Sequence, residues 1–432
     1  MIGAPPRPAA RPARPDRRTS RTIVVNAASI VGTFGVTSAL GAVFWWLAAH
    51  RFAPDEIGRA SAIVSAMTLL SGLSSLGLGT LLIGELRRQR DPGVLVGSAL
   101  AVAGVAGAGL AFAYVFSIPF AIRDLRPLVS GPATVGVFVA GVAAIAVGNA
   151  LDGALVGLLK AQLRLLRNLL LGVGKLAFLV LFAFGLTGRS NLAIYAAWTA
   201  GAILALVVPA VALRFAGGPP LSQLRPRRKA IPGFRRAIGE HQIMNLGLNV
   251  PSLVLPSLVI GILSARANAG FYVAWMIASL AFIVPPALTQ ILFAVAADDS
   301  RSLAGEARLT MGLCLACGVA SVAVVWVAAS PLLQLFGSSY AHSATWMLRA
   351  VVVAVLPLSV KDHYVALARI RNRLRQALPL IWLGASAELG LAALGAQLHG
   401  LDGLGVGWLT AMALEAAAMA WPVRRMLRGE VR

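Results

Sequence analysis

Charged residues are scarce in this chain, and acidic residues are scarcer than basic ones. Only 12% of the 432 residues are charged, with 16 Asp and Glu against 38 Lys and Arg, whereas 58% are hydrophobic. Ordinary soluble domains are about one quarter charged, so the composition excludes a water-soluble globular protein. The apolar runs are long and do not alternate as the strands of a membrane barrel do. They predict an all-α integral membrane protein, because lipid tolerates only helices and closed barrels.

The sequence also lacks the groups that enzymes and metal proteins need. It contains no Gly-rich phosphate loop, no cluster of metal ligands and no large loop with catalytic carboxylates. Cys314 and Cys317 lie inside an apolar run without a second pair or a nearby histidine, which favours packing over metal binding or redox chemistry. We therefore expect no catalytic residue, no metal and no cofactor. A membrane-embedded glycan polymerase or transferase and a scaffold protein remain as alternatives.

About 12 apolar segments have the roughly 20 residues that a helix needs to cross a bilayer. The predicted spans are 23–49, 57–83, 93–117, 132–157, 163–186, 190–215, 241–263, 270–297, 309–329, 344–368, 374–397 and 402–426. Roughly 29 of the 38 basic residues then fall on one side of the membrane, about 7 on the other and two within spans. By the positive-inside rule both termini are cytoplasmic, and we expect a bacterial inner membrane. The net charge of +22 thus reflects topology and does not indicate a nucleic-acid partner.

The longest loop is basic and divides the chain into two halves. We predict a disordered basic cytoplasmic arm at 1–22, which contacts anionic lipid headgroups, and a cytoplasmic tail at 427–432. Between them lie an N-terminal six-helix lobe at 23–215, a basic cytoplasmic linker at 216–240 and a C-terminal six-helix lobe at 241–426.

A polar stripe recurs in the first helix of each half. Its members are Asn26, Ser29, Thr33 and Thr37 in the first span and Gln242, Asn245, Asn249 and Ser252 in the seventh. Spacings of three and four residues put each set on one helix face. Two parallel six-helix repeats around a central cavity follow, with a binding site between them. A third stripe in the second span is either cavity lining or a helix-packing face; it contains Ser61, Ser65, Thr68, Gly72, Ser75 and Gly79.

Three segments resemble a known group of transporters. RFAPDEIGRASAIVSAMTLLSGLSSLGLGTLL opens the first half, and LLQLFGSSYAHSATWMLRAVVVAVLPLSV precedes the basic turn ARIRNRLRQALP in the second. Together they resemble the lipid-linked oligosaccharide and polysaccharide flippases of the multidrug/oligosaccharidyl-lipid/polysaccharide exporter superfamily. The resemblance covers most of residues 20–426. It implies two lobes forming a V around an alternating cavity, and a sugar headgroup on a polyprenyl carrier as substrate.

Several ionisable side chains lie within predicted spans, where each costs several kcal/mol unless it has a partner or a function. Lys175 and Lys361 are cations suited to the phosphates of a lipid-linked glycan, and we expect them with Asn26, Thr33, Gln242, Asn245 and Asn249 in the cavity. The alternative for Lys175 is a buried pair with Asp152 or another acid. Asp152, Glu388 and Glu415 are candidates for coupling to an ion or proton. Alternatively, Glu388 and Glu415 are two unrelated acids.

Other polar residues and helix breakers surround these candidates. Asp362 shares a helix face with Arg369 and is interpreted as flanking the inner interface, whereas His363 faces another side. Bends are expected at Gly77 and Gly79, Pro251 and Pro256, Pro285 and Pro286, and Pro357.

The leading hypothesis is a flippase for a lipid-linked oligosaccharide, driven by an ion gradient or the membrane potential. Its expected partners are the lipid-linked glycan, membrane lipids, and a glycan polymerase or glycosyltransferases. The alternative is a multidrug cation antiporter of the same superfamily, which favours a compact acidic site with few cations.

Overall fold

The structure, a computed structural model, describes residues 37–75, 77–86, 92–158, 160–183, 190–215, 239–296 and 303–430. Within these ranges the chain is almost entirely helical, and none of these residues forms a strand. The predicted arm, nearly all of the predicted linker, and Asn26, Ser29 and Thr33 lie outside the described residues.

The helices form two successive sets. The first contains α1 (37–51), α2 (Pro54–Ser74), α3 (Leu78–Glu85), α4 (Pro92–Val115), α5 (Ile118–Ala121), α6 (Pro132–Gly157), α7 (Ala161–Leu181) and α8 (Asn191–Phe215). The second contains α9 (Glu240–Ile262), α10 (Ala265–Ala281), α11 (Val284–Ala296), α12 (Leu303–Gln334), α13 (Ser338–Val353), α14 (Val355–Ile370) and α15 (Leu374–Arg428). A short 3-10 helix at Arg123–Val129 joins α5 to α6.

The described residues contain eight helical stretches that are long and apolar enough to cross a membrane. One of them, α15, has 55 residues and would be about 80 Å long if straight, far more than the ~30 Å of a bilayer core. It is divided at His399 and Gly400, where the backbone leaves the helical region, and Gly395 lies against Gly403 across the turn. The turn makes two antiparallel spans of α15. The predicted all-helical membrane fold with two six-helix lobes is confirmed.

The spans are interrupted at three of the predicted places. Gly77 adopts a φ of 79° between α2 and α3, a conformation that favours glycine, and α10 ends at Ala281 just before Pro285 and Pro286. The tenth span breaks at Ala354, between α13 and α14 and three residues before Pro357. The expectation for the seventh span was wrong, because α9 continues through Pro251 and Pro256.

The two lobes touch at one end, which we call the closed end and define by Gly58, Ser61, Asp124, Ala265 and Asn268. Here α2 packs against α10, and a Cβ on residue 58 would overlap the carbonyl oxygen of Ala265. The Asn268 side-chain amide donates to the Gly58 carbonyl at 2.7 Å and to Ser61 Oγ at 3.1 Å. The Asp124 carboxylate accepts the backbone N–H of Ala265 at 2.7 Å and so caps α10 from the other lobe. The contact combines one tight backbone approach, these hydrogen bonds, the Arg266–Asp55 ion pair and a hydrophobic core that both lobes share.

Toward the opposite ends of α2 and α9 a cleft separates the lobes. Thr68 and Ser75 on α2 face Gln242 and Asn249 on α9 across it. We call this the open end. The structure therefore has an occluded end, an open end and polar helix faces between them.

We expect replacement of Gly58 by Val to shift the protein away from this conformation, because a side chain cannot fit beneath the Ala265 carbonyl. The accessibility of the open end then falls. The measurement is the rate at which a cysteine introduced at Asn245 reacts with a soluble maleimide, in a background that lacks Cys314 and Cys317. We expect a decrease of about tenfold, as for a conformational shift of ~1.4 kcal/mol.

The matched control is Gly109→Ala, since a Cβ at that position meets no atom within 4 Å. An unchanged labelling rate in Gly58→Val, equal to that of the control, would show that the closed end does not govern the open end.

Candidate functional site

A chamber of about 390 Å³ lies in the C-terminal lobe beside the cleft. Its wall is built from α9, α10, α11, α14 and α15, and it contains Asn245, Thr289, Lys361, Asp362, Arg369 and Glu388. This volume is within the range of small-molecule binding sites. A second chamber of about 430 Å³ lies between the lobes, and Asn245, Asn249 and Ser252 line both. The two chambers are therefore neighbouring parts of one cleft.

Three ionisable side chains meet in the wall of the first chamber, and we call them the C-lobe triad: Lys361, Glu388 and Glu415. Lys361 Nζ lies 2.6 Å from Glu388 Oε1 and 2.7 Å from Glu415 Oε2. The side chains are only 4–5% exposed. Lys361 is on α14, and the two acids are on the two halves of α15, so the triad joins three spans.

The triad carries one excess negative charge when all three groups are ionised, because one ammonium faces two carboxylates. Removing ions from water costs several kcal/mol each, and a single ammonium compensates only one of the two carboxylates. The ammonium also occupies the position between the carboxylates that a metal cation would otherwise take. A proton is thus the species that this arrangement is suited to gain and lose.

Neighbouring residues hold the two carboxylates of the triad in position. Trp408 Nε1 donates to Glu388 Oε2 at 2.7 Å and occupies the oxygen that Lys361 leaves free. Gly384 lies directly against the Glu415 carboxylate, and a Cβ there would overlap it. The close approach of the two halves of α15 at Gly384 is what lets Glu415 reach Lys361.

The second chamber brings together most of the polar stripes. Gln242, Asn245 and Asn249 face Thr68, Ser75 and Asn149 across it, and Asn149 Nδ2 lies 3.5 Å from Ser75 Oγ. The stripe of the second span therefore serves both predicted purposes. Ser61 lies at the interlobe contact of the closed end, whereas Thr68, Gly72, Ser75 and Gly79 line the cleft.

Lys175 does not lie in either chamber, contrary to the cavity expectation. It is 7% exposed, with Nζ 4.0 Å from the centre of the Trp198 ring and 5.5 Å from that of Phe44. The alternative pair with Asp152 is also absent, and no acid among the described residues forms a salt bridge with Lys175. Aromatic faces attract a cation through their quadrupole, which compensates the ammonium without an acid.

Asp152, expected as a coupling acid, is already compensated. Arg167 Nε and Nη2 donate to its two oxygens at 2.7 and 2.6 Å, and Arg164 lies 3.9 Å away. This bidentate geometry is the strong form of a carboxylate ion pair. Asp152 therefore leaves no uncompensated charge for an ion in the N-terminal lobe.

Several residues of the site were not predicted from the sequence. Trp275, Phe282 and Trp408 line the first chamber and contact one another. In a chain of apolar spans nothing in their spacing distinguishes them from core residues. His363 points away from the chamber as expected; it is fully buried and lies 3.1 Å from Thr310 Oγ1.

We expect Lys361→Met to lower stability by about 3–5 kcal/mol, because it leaves two buried carboxylates without a cation. The measurement is the thermal midpoint of the detergent-purified protein, beside the exposed control Arg373→Met. Adding Glu388→Gln to Lys361→Met restores part of the loss, since an amide needs no countercharge. A Lys361→Met protein as stable as the control would contradict the triad.

Comparison with known proteins identifies the fold. No protein-family model and no curated protein matches the sequence. Among solved structures, the chain is similar to an inward-facing MATE-family multidrug resistance transporter of the MOP superfamily, the exporter superfamily named above (TM-score 0.75, 15% identity, 94% of this chain and 98% of that chain). The outward-facing conformation of a multidrug resistance MATE transporter also matches (TM-score 0.65, 16% identity, 94% and 96%).

A third solved structure is a MOP-superfamily transporter from Pyrococcus furiosus, described as having a binding pocket of reversed polarity that suggests a different function (TM-score 0.63, 14% identity, 94% and 96%). The matches show the fold that the resemblance implies, and they do not confirm the flippase subtype. This chain has the two-lobed, multi-pass membrane fold of the MATE transporters of the MOP superfamily.

Proposed function

We propose that this chain is a secondary transporter that exchanges an amphipathic organic solute for protons by alternating access. The observation that carries the proposal is the C-lobe triad, an uncompensated buried charge in the wall of a cleft that is open at one end. An enzymatic activity is not proposed, since the fold is that of transporters.

The closed end supports alternating access. The contact there combines one tight backbone approach, a few hydrogen bonds, an ion pair and apolar packing between the lobes, an interface that two rigid lobes can break and re-form. The solved structures with this fold include both an inward-facing and an outward-facing conformation.

The triad supports coupling of solute transport to proton transport. A proton or the positive group of a solute neutralises the acidic excess of the chamber, and the one displaces the other. Such competition makes the movement of the solute depend on the proton gradient. The chamber wall contains Lys361 and Arg369 against Asp362 and Glu388, and Glu415 behind Lys361 adds the third acid. With two cations and three acids, the site favours a solute that carries a positive group.

The direction of transport follows from the distribution of charge. Arg369 and Gln242 lie at the open end, on the side where the basic loops of the sequence cluster. By the positive-inside rule this side is cytoplasmic, so the conformation is inward-facing and ready to take up a solute for export. A bacterial inner membrane remains the proposed location.

A lipid-linked glycan flippase is the second candidate, and the cations Lys361 and Arg369 in the chamber favour it. Glycan polymerases or glycosyltransferases would be its partners. A pyrophosphate headgroup would meet the acidic excess of the same wall, however, which weighs against this candidate.

The test is transport in proteoliposomes with an imposed pH gradient. We expect the wild type to accumulate a fluorescent organic cation against its gradient, and Glu388→Gln and Glu415→Gln to reduce the initial rate by about tenfold or more, equivalent to ~1.4 kcal/mol. Glu430→Gln is the matched control, because Glu430 lies at the exposed end of the chain. A transport rate that does not change with the pH gradient would contradict the proposal. Wild-type dependence on that gradient in both variants would contradict it as well. Binding of a radiolabelled lipid-linked glycan but not of organic cations would favour the flippase.

A further inference from the structure

Two charged residues in the chamber take no part in the triad. Asp362 and Arg369 lie on the same face of α14, seven residues apart, which is about 10 Å along the helix axis. Both line the chamber. Arg369 lies on the turn of α14 nearer the open end, and Asp362 lies beside the triad residue Lys361.

Each of the two residues has a buried polar atom that is unsatisfied. Asp362 Oδ2 and Arg369 Nε are inaccessible to solvent and have no hydrogen-bond partner among the described residues. Arg369 Nη2 donates to Asn245 Oδ1 at 2.7 Å, which orients the guanidinium in the chamber wall. Neither of these two atoms is exposed to the chamber, so the chamber presents to a ligand the remaining surface of one acid and one guanidinium, about two helical turns apart.

Three aromatic rings form a part of the chamber wall that can attract a positively charged group. The ring centres of Trp275 and Trp408 are 4.7 Å apart, and Phe282 lies 6.1 Å from Trp275 and 6.0 Å from Trp408. The indole N–H of Trp408 is used by Glu388, whereas the faces of aromatic rings attract organic cations. An acid and an aromatic cluster thus line the same chamber as a guanidinium.

We infer that the chamber binds a zwitterionic amphiphile, whose cationic group lies at Asp362 among Trp275, Phe282 and Trp408 and whose anionic group lies at Arg369. This inference rests on the proposed function and names the class of its solute. A simple cation brings no countercharge for Arg369 into the chamber, and a simple anion brings none for Asp362. A zwitterion satisfies both, and the spacing suits charges separated by an aromatic scaffold.

The proposed exchange of a proton for the solute also applies when the solute is a zwitterion. The cationic group adds to the positive charge beside the triad and so favours release of the coupling proton. The anionic group lies a further two turns of α14 toward the open end, at the guanidinium that Asn245 holds. Arg369 therefore selects among cationic solutes without being part of the proton site.

Three xanthene dyes of one shape test the inference. A rhodamine with a free carboxylate is zwitterionic, its methyl ester is a cation, and fluorescein is an anion. Their dissociation constants are measured by fluorescence polarisation with the detergent-purified full chain. We expect the free acid to bind about tenfold more tightly than the ester and fluorescein to bind most weakly.

Variants assign the two ends of the ligand. Arg369→Gln removes the preference for the free acid and strengthens binding of the cationic ester, because the site loses a positive charge, whereas Asp362→Asn weakens both rhodamines by about tenfold. Arg369→Lys retains part of the preference, which excludes misfolding as the cause. Arg373→Gln and Asp402→Asn are the matched controls, since both side chains are exposed.

Equal binding of the two rhodamines by the wild type would overturn the inference, and so would a preference that survives in Arg369→Gln. The wild-type comparison decides even where a variant does not fold. If the ester alone is transported in a proton-dependent manner, the proposed function stands and the zwitterion inference fails. If neither dye is transported, the proposed function fails independently of the binding result.

Discussion

The structure of the C-terminal lobe depends on one buried ammonium shared by two carboxylates. Lys361 lies between Glu388 and Glu415 at hydrogen-bonding distance, and none of the three is accessible enough for water to stabilise its charge. Both carboxylates therefore require Lys361, and the helices that carry the three groups are held together. Gly384 lets the Glu415 carboxylate approach the other half of α15, and the indole N–H of Trp408 orients Glu388. The packing of α15 therefore places both carboxylates beside Lys361.

The buried charges described in the N-terminal lobe are compensated, whereas the triad of the C-terminal lobe has an excess charge. This difference confines the proposed coupling to the C-terminal lobe. In the N-terminal lobe, Asp152 is compensated by Arg167, and Lys175 is enclosed by aromatic rings away from the cleft. Among the described residues, the side chains that this lobe offers to the cleft are neutral. The C-terminal lobe places its uncompensated charge in the wall of a chamber. In the proposed mechanism, opening of the closed end would expose that chamber to the other side of the membrane, and the N-terminal lobe would be its partner surface.

The sequence predicts the spans, their two-lobed order, and which side chains are too costly to be buried without a reason. Hydrophobic length and residue charge are local properties, so Lys361, Glu388 and Glu415 are found in this way. Their meeting at one point is not local, because no periodicity relates α14 to the two halves of α15. The same limit explains Lys175: its depth in the span is predictable, but the rings that surround it come from other helices. Pro251 and Pro256 do not interrupt α9, since proline is tolerated within helices that cross a membrane.

The most direct test of the account is the release of protons on binding. The purified wild-type protein in weakly buffered detergent solution is mixed with the cationic rhodamine ester, and the change in pH is converted to protons per bound dye. Below the pH at which the triad is fully ionised, the account predicts release of about one proton for each dye bound, and no release from Glu388→Gln/Glu415→Gln. Dye binding without proton release from the wild type, or unchanged release from that double variant, would show that the triad is structural and that the coupling site lies elsewhere.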